Sequence, residues 1–307
     1  MLVEWTGQRV LVTGAAGFIG RRLVQRLDEA GAQVWAGLAP DEPVERASRL
    51  PPDVPRIVFD VQDPRAVSTA VAEAAPQIVF HLAAVGVANP QVAPALALAV
   101  NVGGAIHLLD ALRELGRDLR RVVLVGTCYE YGAREAVEGL DPCNAYAASK
   151  AAAWAFGRMY WRTWGLPVVT VRPFQVYGPG QPEHTLVTAA IRAALTGADF
   201  PMTPGEQRRD FIYVDDVAAG MLATASTPGI EGQSLDLGTG QERAVREVVE
   251  RIWALTHARG RILVGALPYR PGVVMRLTAE ADRTARLIAW RAQVTLDKGL
   301  ERTIAAQ

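Results

Sequence analysis

The first half of the chain alternates short apolar runs with Ala- and Leu-rich stretches of helical length. The runs "RVLVTG", "QIVFHLAA" and "RVVLVGT" are almost continuously apolar, which is typical of strands that are buried on both faces. Stretches such as "GFIGRRLVQRLDEAG" lie between them and have the apolar period of a helix. Because parallel strands need a crossover between them, this order predicts an α/β protein whose parallel sheet is covered by helices.

The stretch "VLVTGAAGFIGRRL" places Gly14, Gly17 and Gly20 between the first predicted strand and the first predicted helix. Backbone NH groups at a helix N-terminus bind phosphate when no Cβ atom blocks the approach. The motif therefore predicts a dinucleotide site, with Phe18 and Ile19 beside the glycines. Glycines that serve the turn alone are the alternative.

An acidic residue at the end of the second strand usually binds the adenosine ribose of NAD. Here Asp41 and Glu42 come slightly late, and they can equally belong to a solvated loop. No arginine closer than Arg46 offers a partner for the 2′-phosphate of NADP. The sequence favours NAD over NADP and leaves NADP open.

From about residue 173 the alternation becomes irregular, and Pro and Gly cluster in "RPFQVYGPGQP" and "FPMTPGEQ". We predict a Rossmann-like, doubly wound NAD(P)-binding domain over residues 1–172 and a smaller C-terminal α/β substrate-binding region over 173–307. The segment around 208–236, which contains "FIYVDDVAAGMLATA", is expected to return to the first domain.

The composition argues against several other functional classes of protein. Basic and acidic residues balance at 32 each and the pI is about 6.9, so no nucleic-acid or membrane partner is expected. The apolar runs are shorter than a membrane span, and the N-terminus has no signal-peptide pattern. Two cysteines and four scattered histidines indicate neither a disulfide framework nor a metal site. We predict a soluble, cytoplasmic protein.

Lys150 and Lys298 are the only lysines among the 32 basic residues. Lys150 follows Tyr146 by four residues in "NAYAASK", so the two share a helix face. An ammonium beside a phenol favours the phenolate and makes it a usable base, and the same ammonium can bind a nicotinamide ribose. A surface lysine beside a core tyrosine is the alternative. Thr127 ends a predicted strand, where it can bind a substrate oxygen or simply cap the strand.

These pieces together resemble the extended short-chain dehydrogenase/reductase family, particularly its nucleotide-sugar epimerases, dehydratases and 4-ketoreductases. The resemblance covers nearly the whole chain. The matching stretches are "VTGAAGFIG", "FDVQD", "IVFHLAA", "NVGGAIHLLDA", "GTCYEYG", "YAASK", "RPFQVYGPGQ", "RRDFIYVDDVA", "LDLGTG" and "YRPG".

The resemblance implies roles for individual residues. The catalytic residues are expected to be Thr127, Tyr146 and Lys150. The further cofactor-binding residues are expected to be Asp60 and Val61 at the adenine, Leu82, Ala83 and Ala84 under the cofactor, and Pro173 near the nicotinamide. The substrate-binding residues are expected to be Thr127, Gln175, Arg209 and Arg270, with the two arginines on the diphosphate. Surface arginines are the alternative for the last two.

Departures from the family pattern narrow the reaction. The 4,6-dehydratases of this family carry Asp-Glu directly after the threonine, and the decarboxylases carry a glutamate at the second of these positions. This chain has Cys128 and Tyr129 there, and the adjacent Glu130 is expected to point to the other side. Gly126 stands where a serine is common, and Val273 replaces a usual acid. Because Cys128 and Tyr129 replace the acids that those reactions need, dehydration and decarboxylation are disfavoured.

The sequence thus predicts NAD(P)-dependent oxidoreduction of a nucleotide-diphosphate sugar, with C4 epimerisation favoured over NADPH-dependent reduction of a 4-keto-6-deoxysugar. Two other possibilities are a non-catalytic dinucleotide sensor and an enzyme for a ketone without a nucleotide. By resemblance, a homodimer is expected, formed through the helices around 96–115 and 146–164.

Overall fold

The computed structural model describes residues 5–87, 91–116, 118–132, 139–270 and 272–307. Residues 1–4 of the predicted first domain and Pro271 of "YRPG" lie outside these ranges. The strands, in chain order, are β1 (Arg9–Thr13), β2 (Gln33–Leu38), β3 (Arg56–Val58), β4 (Ile78–His81), β5 (Arg121–Val125), β6 (Val168–Pro173), β7 (Gln175–Tyr177), β8 (Phe200–Met202), β9 (Arg208–Tyr213), β10 (Ser234–Leu237), β11 (Glu242–Ala244), β12 (Ile262–Val264) and β13 (Arg276–Leu277).

The helices alternate with the strands through most of the chain. In chain order they are α1 (Phe18–Glu29), α2 (Val44–Ala47), α3 (Pro64–Ala74), α4 (Pro94–Ala97), α5 (Gly104–Leu115), α6 (Ala145–Trp164), α7 (Leu186–Thr196), α8 (Val214–Ser226), α9 (Val245–Thr256), α10 (Ala281–Ile288) and α11 (Leu296–Ala305). A π-helical turn, Leu98–Gly103, joins α4 to α5, and a 3₁₀ turn, Cys128–Tyr131, follows β5.

A seven-stranded sheet in the order β10-β6-β5-β4-β1-β2-β3 forms the centre of the molecule. Every neighbouring pair in it is parallel. Alternate residues of β1 enter opposite cores: Val10 and Val12 pack on the side of α1 and α8, whereas Leu11 packs on the side of α3 and α5. The prediction of a doubly wound, Rossmann-like sheet is confirmed.

The later strands divide between this sheet and smaller ones. In the second sheet β9 pairs with β11, β13 and β7, while β8 and β12 form a separate parallel pair. Within the segment around 208–236, β9 belongs to the second sheet, whereas α8 packs against α1 and β10 joins the edge of the large sheet. The boundary after residue 172 stays a prediction, since only Phe174 separates β6 from β7.

Strand order reverses at β1, which lies between β2 and β4. In open α/β sheets, ligands bind in the crevice outside the carboxyl ends of the strands at such a point. The loops that follow β1 and β4 meet there, because a Cβ atom on Gly14 would lie 2.8 Å from the Ala83 nitrogen. The fold therefore places the glycine turn and the carboxyl ends of β4, β5 and β6 on the same edge of the sheet.

One helical stretch among the described residues, Pro94–Leu115, is long and apolar enough to cross a membrane by length and composition alone. The uninterrupted apolar runs within it are short, because polar residues such as Asn101 and His107 divide the stretch. Within its apolar window, 56% of the residues are buried inside the protein, as in a core helix. The stretch packs against α3 and α6.

Candidate active site

The turn between β1 and α1 is too tight for side chains at Gly14 and Gly20. Gly14 has a left-handed φ of +66°, and a Cβ atom on Gly20 would meet the Gly14 carbonyl oxygen far inside van der Waals distance. Gly17 is the N-cap of α1, and no side chain caps it. The first amides of this 12-residue helix are thus suited to an anion, which fits the pyrophosphate of a dinucleotide. Phe18 and Ile19 begin the helix.

The predicted cofactor strip follows β4 directly. Leu82 N donates to the Thr13 carbonyl at 3.1 Å, and Ala83 N donates to Thr13 Oγ1 at 3.2 Å. Ala84 packs with the cluster that contains Tyr146. The structure therefore joins this strip to the glycine turn on one side and to α6 on the other.

The residues predicted around the adenosine lie after β2 and β3. Asp60 accepts from Gln62 N at 2.9 Å, and the Val61 carbonyl lies 2.9 Å from His107 Nδ1. Glu42 lies 3.5 Å from Arg46, measured between Oε1 and Nη1. The acid and the arginine weighed as ribose and 2′-phosphate partners are thus paired with each other, and the geometry leaves the choice between NAD and NADP open.

Helix α6 carries Tyr146 and Lys150 on its buried face. Its first turn is capped by Asn144, whose Oδ1 accepts from Ala147 N at 2.9 Å. Tyr146 and Lys150 are only 8% and 5% exposed, which excludes a surface lysine. Lys150 Nζ donates to the Val125 carbonyl at 2.8 Å, so the ammonium faces the end of β5.

Thr127 lies at the same end of β5. The strand finishes at Val125, and the next residues form a 3₁₀ turn that Thr127 caps. Thr127 also lies close enough to Tyr146 to lower the pKa of its phenol. The structure thus brings together the three residues that were predicted to be catalytic, at the carboxyl edge of the sheet.

Burial dominates the protonation of this group. It lowers the pKa of the Lys150 ammonium to about 8, although Glu130 opposes the change. Burial raises the pKa of the Tyr146 phenol above its usual value, and the nearby Cys128 and Glu130 raise it further. Thr127 opposes that rise. Burial therefore opposes the stabilisation of the Tyr146 phenolate that the sequence led us to expect from Lys150.

Cys128 and Tyr129 occupy the positions where the dehydratases have acids. Burial raises the pKa of the Cys128 thiol to about 12, and the thiol is 2% exposed. Burial likewise raises the pKa of Tyr129, while a hydrogen bond with Arg209 lowers it. With these raised pKa values, neither side chain replaces the carboxyl groups that the dehydratases have at these positions.

The predicted substrate residues separate into two groups. Arg209 is 6% exposed, donates to the Arg208 carbonyl at 2.8 Å and adjoins Tyr129. Gln175 Oε1 accepts from the Tyr129 hydroxyl at 3.3 Å. Both residues therefore lie beside the Thr127 turn. Pro173 ends β6, the strand next to β5.

Arg270 is not joined to this group by its side chain. It is exposed on the loop before β13, and within the described ranges no hydrogen bond or ion pair joins its side chain to the other site residues. Its predicted role on the diphosphate stays a prediction.

Two buried polar residues at the site were missed by sequence reasoning. Asn101, in the π-helical turn, binds both backbone groups of Val85 and donates to Ser149 Oγ at 2.8 Å, which ties the loop after β4 to α6. Glu130 accepts from Thr127 N and from Arg172. It lies in a 3₁₀ turn and not in a strand, so the alternation used to orient it does not apply. Gly126, which stands where a serine is common, was the signal for Glu130 that the sequence offered.

We expect the two cysteines to react very differently with iodoacetamide at pH 8. A thiol with a pKa of about 12 is thiolate in only about one molecule in ten thousand at that pH, and Cys128 is also buried. Mass spectrometry should find carbamidomethylation at the exposed Cys143 alone, and at both residues in urea. If Cys128 in the folded Cys143→Ser variant were labelled as fully as it is in urea, a buried Cys128 thiol with a raised pKa would be contradicted.

Comparison with known proteins places this geometry in a family. The family model described as "NAD dependent epimerase/dehydratase family" matches residues 10–238. A UDP-glucose 4-epimerase from Mycolicibacterium smegmatis is 32% identical over 314 residues, covering 96% of this chain and 97% of that relative. A probable dTDP-glucose 4,6-dehydratase from Sinorhizobium fredii is 31% identical, covering 96% and 91%.

A solved structure shows the same likeness in three dimensions. The Thermus thermophilus UDP-glucose 4-epimerase in complex with NAD superposes with a TM-score of 0.84 at 30% identity, covering 97% of this chain and 98% of that one. With the glycine turn, the parallel sheet and the family match in agreement, the chain belongs to the NAD-dependent epimerase/dehydratase family.

Proposed function

We propose that this chain is an NAD-dependent enzyme that interconverts the C4 epimers of a hexose carried on a nucleoside diphosphate. The observation that carries the proposal is the convergence of Thr127, Tyr146 and Lys150 at the end of β5, beside the loops after β1 and β4. Relatives named for UDP-glucose and dTDP-glucose support a nucleotide-sugar substrate, and the Thermus complex supports NAD.

The chain's own residues account for the proton movements of such a reaction. The nicotinamide ring of bound NAD supplies the acceptor, and later the donor, of the C4 hydride. Tyr146 takes the 4-hydroxyl proton while the C4–H bond breaks and the ketone forms. This requires the positive charges of Lys150 and of an oxidised nicotinamide to outweigh the burial that raises the pKa of the phenol. Thr127 holds the same oxygen by a hydrogen bond. After the keto sugar turns its other face to the nicotinamide, hydride would return to C4 and the proton would return from Tyr146 to the oxygen, so the epimerisation involves no net oxidation.

Lys150 supports this chemistry by its position. One of its three N–H donors is used by the Val125 carbonyl, which leaves two for the phenolate and for the ribose hydroxyls of the cofactor. Because its pKa is about 8, the ammonium is charged at neutral pH and favours the phenolate over the phenol. The positive charge of an oxidised nicotinamide would also favour the phenolate of Tyr146.

Dehydration is less well supported, although a dehydratase is among the relatives. A dehydratase must protonate a leaving hydroxyl and remove a C5 proton. The buried thiol of Cys128 and the phenol of Tyr129 have raised pKa values, and the Glu130 carboxylate binds Thr127 N and Arg172. No group of suitable pKa among these three faces the substrate side of Thr127.

A 4-keto-sugar reductase is the second candidate, because it uses the same three residues for one half of the reaction. The Glu42–Arg46 pair after β2 is compatible with either cofactor, so NADPH remains open to such an enzyme. A non-catalytic dinucleotide sensor is the lower alternative, since a sensor has no need of a buried base.

We also propose a homodimer formed through α4, α5 and α6. Leu96 and Leu98 are 44% and 61% exposed, and Phe156 on α6 is 38% exposed. Apolar side chains exposed together on neighbouring helices are typical of an interface between copies. A cytoplasmic location stays a prediction from the sequence.

Replacing Gly20 tests the cofactor site. In Gly20→Ala the new Cβ atom must displace the Gly14 carbonyl, so we expect the Kd for NAD to rise at least about tenfold. Gly103→Ala is the matched control, since its Cβ would meet no atom closer than the Leu98 oxygen at 3.7 Å. Calorimetric titration with NAD checks both variants. Wild-type affinity in Gly20→Ala would exclude the glycine turn as the phosphate site.

Removing the phenol tests the base. We expect Tyr146→Phe to lose about 10²–10⁴ in turnover of UDP- or dTDP-hexoses while it still binds NAD. Tyr160→Phe is the control, because Tyr160 is also buried on α6 but donates to Asp110 at 2.8 Å, within the cluster that contains α3 and α5. Coupled epimerase and reductase assays measure the rates. A Tyr146→Phe enzyme with full turnover would refute the mechanism.

The nucleotide that leaves the denatured protein separates epimerase from reductase. An epimerase returns its hydride to the same substrate, so its cofactor need not exchange. We expect about one NAD per chain after denaturation of the purified protein, identified by mass spectrometry. A protein that releases none, yet binds NADPH more tightly than NAD, would favour the reductase.

A further inference from the structure

The segment Val125–Gly126–Thr127 is held from two sides by opposite charges. On one side Lys150 Nζ donates to the Val125 carbonyl at 2.8 Å. On the other side Glu130 Oε1 accepts from Thr127 N at 2.8 Å. Glu130 is 0% exposed, so its carboxylate lies wholly inside the protein, behind the predicted catalytic threonine.

The Glu130 carboxylate is paired and anchored. Its second oxygen accepts from Arg172 Nε at 2.8 Å, and Arg172 on β6 also lies over the Tyr131 ring. The Tyr131 hydroxyl donates to Asp236 on β10 at 2.6 Å. Burial raises the pKa of Glu130, while Arg172 and the Thr127 amide lower it. Strands β6 and β10 and the turn after β5 therefore all contribute to fixing this charge.

Gly126 makes room for this arrangement. A Cβ atom there would overlap Glu130 Oε1, far inside van der Waals distance. Its φ is not in the left-handed region, so the absence of a side chain, and not backbone conformation, is what the position requires. The glycine that departs from the usual serine and the glutamate that follows it are thus structurally linked.

We propose that Glu130 is a positioning residue of the reaction: it orients Thr127 beside Tyr146, and its buried charge stabilises the Lys150 ammonium. The inference rests on the proposed function only for its effect on turnover. Glu130 touches neither substrate nor cofactor in this role, and it acts through Thr127 and Lys150.

The described part of the chain places the following charged or titratable groups around Glu130. They are Arg172 and Lys150, which lower the pKa of Glu130, together with Tyr146 on α6, Cys128 and Tyr129 in its own turn, Tyr131 and Asp236 beyond Arg172, and Arg209 on β9 next to Tyr129. Of these, Glu130 is the group that raises the pKa of Lys150. Loss of its charge should therefore lower that pKa below about 8.

The scarcity of lysine makes this directly measurable. Protein labelled with ¹³C at lysine Cε gives signals from Lys150 and Lys298 only, and Lys298→Arg assigns them. In Glu130→Gln we expect the Lys150 titration midpoint to fall by on the order of one pH unit, with Lys298 unchanged. Asp216→Asn is the control, because Asp216 is a buried carboxylate that accepts from Val294 N and should leave Lys150 unaffected. An unchanged midpoint in Glu130→Gln, or an equal fall in Asp216→Asn, would overturn the proposal.

Glu130→Asp separates charge from position and serves if Glu130→Gln does not fold. It keeps the charge but withdraws the carboxylate from Thr127 N. We expect a Lys150 midpoint close to that of the wild type and a kcat reduced about tenfold with KM little changed, as for a group that orients the transition state. Wild-type kcat in Glu130→Asp would exclude the orienting role.

The structural link is tested by a double-mutant cycle on denaturation midpoints. Gly126→Ser should destabilise the wild-type protein much more than it destabilises Glu130→Ala, since the overlap disappears with the carboxylate. Additive effects would show that the two residues do not share this space. If the Lys150 midpoint moves as expected but no sugar nucleotide is turned over, the proposed function fails and the electrostatic role of Glu130 stands.

Discussion

The close approach of two backbone loops at the carboxyl edge of the large sheet is the constraint on which the site depends. Gly14, after β1, lies so near the Leu82–Ala83 peptide that a Cβ atom would come within 2.9 Å of Leu82 C. This approach exists because β1 and β4 are parallel neighbours where the strand order reverses. It leaves the uncapped N-terminus of α1 and the end of β4 on one crevice. The positions of α6 and of the Thr127 turn follow from the same sheet, since β5 is the next strand.

Desolvation is the second determinant of the site. Tyr146, Lys150 and Glu130 are buried together, so burial acts on each protonation equilibrium more strongly than any single neighbour does. For the phenol and the ammonium, burial favours the neutral form, and the fixed charges around them then decide how far each departs from it. This explains why a carboxylate with no contact to a substrate can matter. It balances Arg172 and Lys150, which would otherwise be two buried cations beside one strand end.

Much of this arrangement could be predicted from sequence because its signals are local. The apolar runs, the G-x-x-G-x-x-G spacing and the four-residue interval from Tyr146 to Lys150 each report a turn, a strand or a helix face. Glu130 was expected to point away from the substrate, but its role could not be predicted, because the strand ends at Val125 and a 3₁₀ turn brings its carboxylate to Thr127 N. Asn101 was missed because its partners, Val85 and Ser149, are distant in sequence. The departure from the family pattern at Gly126 was visible in the sequence, but its cause is the side chain of Glu130, four residues later.

The sequence by itself determined the class of fold, the family and the residue types that can carry the chemistry. These depend on the apolar periodicity and on short motif spacings, which involve residues close together along the chain. Only the tertiary structure decided that Lys150 donates to the Val125 carbonyl at the end of β5, that Glu42 pairs with Arg46, and that Cys128 is a buried thiol with a raised pKa. Each of these depends on the distance and burial of groups from different elements, and Coulomb and desolvation energies are set by that spatial arrangement rather than by order along the chain.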